Sequence, residues 1–252
     1  MRIDAPTPRQ LPQLRQLWKD AFGDGDAFLD KFFSTAYAPQ RCRCVTVDGQ
    51  VAAALYWFDV TCRDEKMAYI YAVATAPAFR EQGLCRALMG STHSHLAALG
   101  YRGALLVPDG EALTRMYAGL GYRPCCGLRE FVCAMGSAPA ALRRIDTQEY
   151  ARLRRQLLPQ GGVIQEGEDL AFLETYAEFY AGLDFLLAAV READKLLGLE
   201  LLGNADAAPG ILAALGMALG EFRTPGDTHP FAMFLALRPG AEAPGHFGLA
   251  FD

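Results

Sequence analysis

Residues 69–86, YIYAVATAPAFREQGLCR, decide how the rest of the chain is read. Tyr69 to Thr75 is a strand-forming run of aromatic, β-branched and small residues. Pro77 breaks the run, and Arg80 to Arg86 makes a basic, glycine-containing turn that opens a helix. Peptide N–H groups at a helix start have no partner inside the helix and carry the positive end of its dipole. A pyrophosphate lying over Arg80, Glu81, Gln82, Gly83, Leu84, Cys85 and Arg86 would therefore meet ready donors. Gly83 lets the backbone approach closely, and Arg80 and Arg86 bracket the turn with fixed charges that suit phosphate oxygens. Taken alone, the same turn also fits an ordinary strand-to-helix connection with two solvated arginines.

Working outward toward the N-terminus, Leu11 to Phe22 places Leu11, Leu14, Leu17, Trp18 and Phe22 at helical spacing. After the turn Gly23-Asp24-Gly25-Asp26, Phe28, Phe32 and Phe33 continue on a second helix. Cys42 to Val47 and Val51 to Cys62 flank Asp48-Gly49, a hairpin signal, and Met67 to Thr75 is the next strand. Beyond the turn, the pattern predicts a helix from Leu84 to Leu99 stopped by Gly100 and a strand from Arg102 to Val107. A helix from Glu111 to Leu120 stopped by Gly121 and a strand from Tyr122 to Met135 follow. With the short strand Arg2 to Asp4, the order is β-α-α-β-β-β-α-β-α-β.

This order, the turn Arg80-Glu81-Gln82-Gly83-Leu84-Cys85 and the pattern Tyr117-x-x-x-Gly121-Tyr122 together resemble the GNAT superfamily of acetyl-CoA-dependent N-acyltransferases. The family's acyl-CoA signature is Gln/Arg-x-x-Gly-x-Gly/Ala. Cys85 departs from it, standing where Gly or Ala is usual, and leaves less room beside the phosphates. The resemblance covers residues 1–135 and implies an α/β fold with a central mixed sheet flanked by helices. It also implies acetyl-CoA as co-substrate and direct attack of an amine on the thioester. The backbone of Val73, Ala74 and Thr75 would bind the pantetheine arm and polarise the thioester carbonyl. Residues 80–86 would hold the phosphates, and Tyr117 would protonate the leaving thiolate. Tyr117 also fits a packed helix tyrosine with a satisfied hydroxyl. No general base is fixed: Asp59, Asp64 and Glu65 near a hairpin are candidates, and an amine already neutral could attack with water taking the proton.

At 252 residues, 52% hydrophobic and 21% charged, the chain has the composition of a soluble globular protein. A formal charge of −5 argues against a nucleic-acid binder or a binder of anionic membranes and is compatible with a cationic acceptor. No run of about twenty apolar residues predicts a membrane span, and MRIDAPTPRQLPQ lacks the apolar core of a secretory signal, so a cytoplasmic location is expected. Seven cysteines without zinc-site spacing suit reduced thiols, and no metal is expected. His93 and His95, two apart on a helix, point to different faces.

The expected domains are a catalytic one over 1–136 and a smaller α/β one over 137–252. Gly136 to Ala141 reads as a linker, Gln148 to Leu158 as helix, and Asp169 to Tyr180 as helical or mixed. Asp184 to Val190 and Lys195 to Leu202 read as strands, Ile211 to Leu219 as helix, and Phe231 to Leu237 and His246 to Phe251 as closing strands. This β-β-α-β-β order resembles an abbreviated second GNAT-like unit. Asp206-Ala207-Ala208-Pro209-Gly210 offers no basic residue to a phosphate, so the second unit is expected to bind no CoA and to shape the acceptor cleft or a homodimer contact. The sequence thus points to an N-acetyltransferase acting on a primary amine of a small molecule or peptide. A catalytically idle CoA-binding or regulatory module is the alternative. A Rossmann-type nucleotide binder is disfavoured, since Gly-x-Gly-x-x-Gly is absent.

Overall fold

The computed structural model describes residues 1–251 and divides the chain into two compact units that interleave along the sequence. One unit gathers Met1–Leu106, Gly110–Tyr122 and Phe234–Ala243; the other gathers Val107–Asp109, Arg123–Met233 and the segment from Pro244. Gly136 and Ser137, on either side of the expected domain boundary, both lie inside the second unit.

In the first unit, β1 (Arg2–Asp4) leads through α1 (Leu11–Phe22) and α2 (Asp26–Thr35) to β2 (Cys42–Val47), β3 (Gln50–Cys62) and β4 (Glu65–Thr75). Then come α3 (Leu84–Ala98), β5 (Gly103–Leu106) and α4 (Gly110–Ala118). The sheet order is β1-β2-β3-β4-β5, antiparallel except for the parallel pair β4–β5. Asp48 and Gly49 turn the β2–β3 hairpin with φ of 47° and 83°, the mirror-image turn their sequence predicts. α1 buries Leu14, Leu17 and Trp18 and stops at Gly23, whose left-handed φ of 78° lets its N–H bond back to Lys19. Its Trp18 ring packs 5.2 Å from Tyr56 on one face of the sheet, while His95 of α3 sits 6.2 Å from Trp57 on the other. The late segment 234–243 belongs to this unit through close contact. A side chain on Gly103 would stand 2.1 Å from the Phe234 ring, and Leu237 donates its N–H to the Arg102 carbonyl at 2.9 Å.

The second unit contains β6 (Arg123–Ala134), β7 (Leu142–Ile145), α5 (Thr147–Leu157), α6 (Glu168–Leu173), β8 (Glu178–Gly182) and β9 (Phe185–Arg191). It continues with β10 (Lys195–Gly203), α7 (Ala208–Leu215) and β11 (Leu219–Pro225); β12 (His229–Ala236) begins in this unit and ends in the first. Its sheet runs β6-β11-β10-β9-β8-β7, with β10 and β11 parallel and the other pairs antiparallel. α7 packs Ile211 and Leu212 against Leu187, Leu196, Leu201 and Phe222 on one face. On the other, Tyr150 of α5 stacks on Phe179 at 4.4 Å.

Several expectations for this half need correction. The apparent helix Ile211–Leu219 ends at Leu215, because Gly216 adopts the left-handed conformation, and 219–225 is a strand whose exposure alternates along its length. Asp169–Tyr180 splits into α6 and β8, and a short strand, β7, follows the expected linker. His246–Phe251 is not a strand. Among the described residues it forms one bridge, His246 to Gly162, and it accepts Val163 N–H on the His246 carbonyl and Gln165 Nε2 on the Leu249 carbonyl, both at 2.8 Å.

A buried ionic cluster ties that segment to the second sheet. Arg154 of α5 donates to both Glu200 oxygens at 2.6 and 2.9 Å and to the Val163 carbonyl at 2.8 Å. Tyr150 donates to Glu200 at 3.1 Å, and His246 Nε2 lies 3.1 Å from the other Glu200 oxygen. Burial would raise the Glu200 carboxyl, but Arg154 and His246 outweigh it and hold it at about 2. A carboxyl depressed when folded contributes stability that is present above its unfolded value and lost as pH falls toward its folded one. In urea titrations the wild-type chain should therefore lose stability between pH about 4.5 and about 2. Glu200→Gln should be less stable at pH 7 by roughly 3–5 kcal/mol, because it strands Arg154, and should lack that acid limb. An unchanged limb in the variant would refute this assignment.

Candidate functional site

The site grows from a break in β4. Its ladder with β3 pairs Tyr71 with Tyr56 and then, one step out of register, Ala74 with Ala54; Ala72 lies in the break with φ of 48°. A bulge adds a residue, bends the strand and re-aims the peptide groups that follow. On its other side, β4 stays with β5 only through Met67, Ala68 and Tyr69, opposite Gly103, Ala104 and Leu105, and past Tyr69 the two strands part. Ala76 donates its N–H to the Ala52 carbonyl at 2.9 Å. The alternation of an antiparallel ladder then turns the peptide groups of Thr75 and Val73 away from β3, toward the gap left by β5. The Thr75 carbonyl indeed accepts from Arg80 Nε at 3.2 Å on that side. Val73 and Thr75 thus lie on a strand edge that β5 has left, with Ala74 facing back to β3.

The turn follows directly. Glu81 and Gly83 both take positive φ, 62° and 75°, and Gly83 is the N-cap of α3 with no side-chain cap on the helix. Ala87 N–H is bonded to the Gly83 carbonyl at 3.0 Å, so the preceding N–H groups of Leu84, Cys85 and Arg86 have no carbonyl four residues back inside the helix to bond. Among the described residues, chain neighbours and the helix's own backbone aside, no atom lies within 4 Å of where a Gly83 side chain would begin, so that position faces open space. An arrangement of such N–H groups at the positive pole of a 15-residue helix fits a pyrophosphate. Arg86, exposed, reaches the Gly119 carbonyl at the end of α4 at 3.3 Å, so in this state neither arginine points a fully free guanidinium at the turn. Gln82 Nε2 donates to the Ala78 carbonyl at 3.2 Å.

Tyr117 comes from α4, whose end is fixed by Tyr122 N–H on the Tyr117 carbonyl at 3.1 Å. Its ring is buried and meets Tyr122 edge-on at 5.8 Å. Burial, and then the nearby Cys85 thiol, push its hydroxyl far above the usual tyrosine range, so it stays protonated at neutral pH. Cys85 is likewise raised by burial, with Arg86 opposing. Tyr122, also buried, is bonded to His93 at 2.9 Å; burial lowers that imidazole to about 4 and keeps it neutral. His95 lies on a different face of α3, against Trp57.

The three acidic residues near the β3–β4 hairpin are placed elsewhere. Asp59 accepts from the Tyr101 hydroxyl and pairs with Lys66 at 3.5 Å, and Glu65 pairs with Arg102 at 3.0 Å. Asp64 sits in the hairpin turn itself with φ of 61°. Asp59 is opposite Ala68, four residues and about 13 Å of strand from Ala72. A carboxylate with no sequence signal lies instead beside the aromatic face that Tyr71 shares with Trp18 and Tyr56. Asp24, in the turn before α2, accepts from the Trp18 indole N–H at 2.8 Å. Among the described residues no group of three or more His, Cys, Asp or Glu side chains could hold a metal, and no helix is long and apolar enough to cross a membrane.

Residues 2–125 match the family model described as an acetyltransferase (GNAT) domain. No curated protein matches the chain. Among solved structures, it is similar to a GCN5-related N-acetyltransferase from Kribbella flavida, with a TM-score of 0.72 and 20% identity over 93% of this chain and 70% of that one. A GCN5-related N-acetyltransferase from Anabaena variabilis gives 0.73 at 14% identity over 94% and 73%. A tandem GNAT protein from the clavulanic acid biosynthesis pathway gives 0.59 at 13% identity over 95% and 99%. At such identities these likenesses show the fold, and they extend over both compact units. Residues 2–125 are therefore a GNAT acetyltransferase domain and the protein is an acyltransferase.

The two tyrosines make opposite predictions for stability. Tyr117→Phe removes a hydroxyl that has no hydrogen bond among the described residues and should change the unfolding free energy by less than about 0.5 kcal/mol. Tyr122→Phe removes the bond to His93 and should cost about 1 kcal/mol. Equal losses in urea melts of the two variants would show that the Tyr117 hydroxyl is structural.

Proposed function

We propose that the chain transfers an acetyl group from acetyl-CoA to a primary amine of a small molecule or peptide by direct attack on the thioester. One observation carries this reading: the open edge of β4 past Ala72 leads without a break into the uncapped start of α3, so carbonyl-polarising and phosphate-binding donors lie on one continuous stretch of backbone. Val73 and Thr75 would hold the pantetheine amides, and their N–H groups would meet the charge that develops on the thioester oxygen. Leu84, Cys85 and Arg86 would bind the pyrophosphate through backbone N–H groups, with Arg80 and Arg86 swinging from their carbonyl partners onto its oxygens. Tyr117, protonated and without a competing partner, would deliver a proton to the departing sulfur.

The acceptor would approach past the half-buried Tyr71, whose ring packs on the buried Trp18, with Asp24 adding negative charge beside Trp18. The second unit would bind no CoA. Its counterpart of the β4–β5 gap is closed by the Thr224 hydroxyl, which donates to the Leu201 carbonyl at 2.8 Å just past the last β10–β11 pair, Gly198 with Phe222. A location in the cytoplasm accords with seven reduced thiols.

The test pairs calorimetry with a thiol-release assay over a panel of amines. Tyr117→Phe should bind acetyl-CoA as the wild type does while its turnover falls by about 10²–10⁴-fold. Undiminished turnover in the variant would remove Tyr117 from the chemistry. Acetyl-CoA binding with no turnover of any amine by the wild type would favour an idle CoA-binding module.

A further inference from the structure

We propose that Cys125 and Cys126 form a dithiol site for a trivalent arsenical, whose arsenic atom would bridge the two sulfurs. The pair lies near the start of β6, where the pleat ordinarily sends adjacent side chains to opposite faces. Their Sγ atoms nevertheless stand 3.5 Å apart. Cys126 donates its S–H to the Pro244 carbonyl at 3.4 Å, which leaves the Cys125 proton for the Cys126 sulfur. A direct bond between the sulfurs is unfavourable: consecutive Cα atoms are about 3.8 Å apart, inside the roughly 4.4–6.8 Å span of ordinary disulfides. The sulfurs are too far apart for a disulfide length of about 2.05 Å and near enough to share one larger atom. Cys125 is half-buried and gives entry, while Cys126 is buried behind it.

The reaction balances without an oxidant. An organoarsenic(III) oxide gives up its oxygen, two As–S bonds form, and the two thiol protons leave with that oxygen as water. Binding would also have a structural consequence. It would remove the Cys126 hydrogen bond to Pro244, the residue that begins the buried C-terminal segment bearing His246 to Glu200. The other closely spaced pair, Cys42 and Cys44, is two apart on one strand, so both face one side, and both thiols are buried.

The experiment treats the folded, full chain with phenylarsine oxide and reads intact mass after washing with excess 2-mercaptoethanol and then with 2,3-dimercaptopropanol. One adduct should survive the monothiol and be released by the dithiol, and amide exchange over 244–251 should quicken in its presence. Cys125→Ser and Cys126→Ser should each lose the resistant adduct, and Cys42→Ser should keep it. Because Cys125 is half-buried, Cys125→Ser decides the matter even where Cys126→Ser fails to fold. Absence of a resistant adduct on the wild type, or its persistence in folded Cys125→Ser, would overturn the proposal.

Discussion

Ala72 holds a left-handed backbone, φ of 48°, in the middle of a strand. For a residue with a side chain this costs roughly 1–2 kcal/mol, and the neighbouring ladder has to impose it. β3 does so from one side: the register on either flank of the bulge is fixed by Tyr56 with Tyr71 and Ala54 with Ala74. The consequence reaches everything downstream. The peptide groups of Val73 and Thr75 turn outward, β5 leaves after Tyr69, and the strand delivers the chain into the turn at Arg80. Strain at the bulge and an uncapped helix start are both costs to stability, and a ligand with an amide arm and a pyrophosphate would relieve the second of them.

The second unit repeats the device and then closes it. β10 also carries a register break, between Gly198 and Glu200, and also pairs in parallel with its neighbour only as far as Gly198 with Phe222. There Thr224 bonds to the Leu201 carbonyl, while in the first unit the Thr75 carbonyl is met by a mobile-length arginine side chain that a phosphate could draw away. Beside the second bulge, Glu200 is consumed by Arg154, Tyr150 and His246. Two similar strand breaks thus have different uses, one leaving polar backbone open and the other burying charge to fasten the last segment of the chain.

Much of the first unit was legible because its signals are local. Asp48-Gly49 demands its hairpin, Gly23 stops α1, and Gly83 supplies the left-handed residue at the start of α3. The bulge residue itself was not, since alanine carries no preference for positive φ, and Asp24 was hidden because its importance comes from a tertiary bond to Trp18. In the second half, Leu219–Pro225 follows a helix after only three residues, so an apolar count runs the two together; strand alternation in exposure appears only once the sheet is formed. Buried His246–Phe251 looks like a strand by composition, yet its backbone partners are a loop and a glutamine side chain. The interleaving of the units has no sequence signal, because Phe234–Ala243 joins the first unit through the space that Gly103 leaves for Phe234.

On the proposed function, the break in β4 binds acetyl-CoA and the break in β10 does not. Amide hydrogen exchange with and without acetyl-CoA tests it most directly. Exchange should slow at residues 73–75 and 82–86 and stay unchanged at residues 198–208. Unchanged exchange in the first set, or protection appearing in the second, would contradict it.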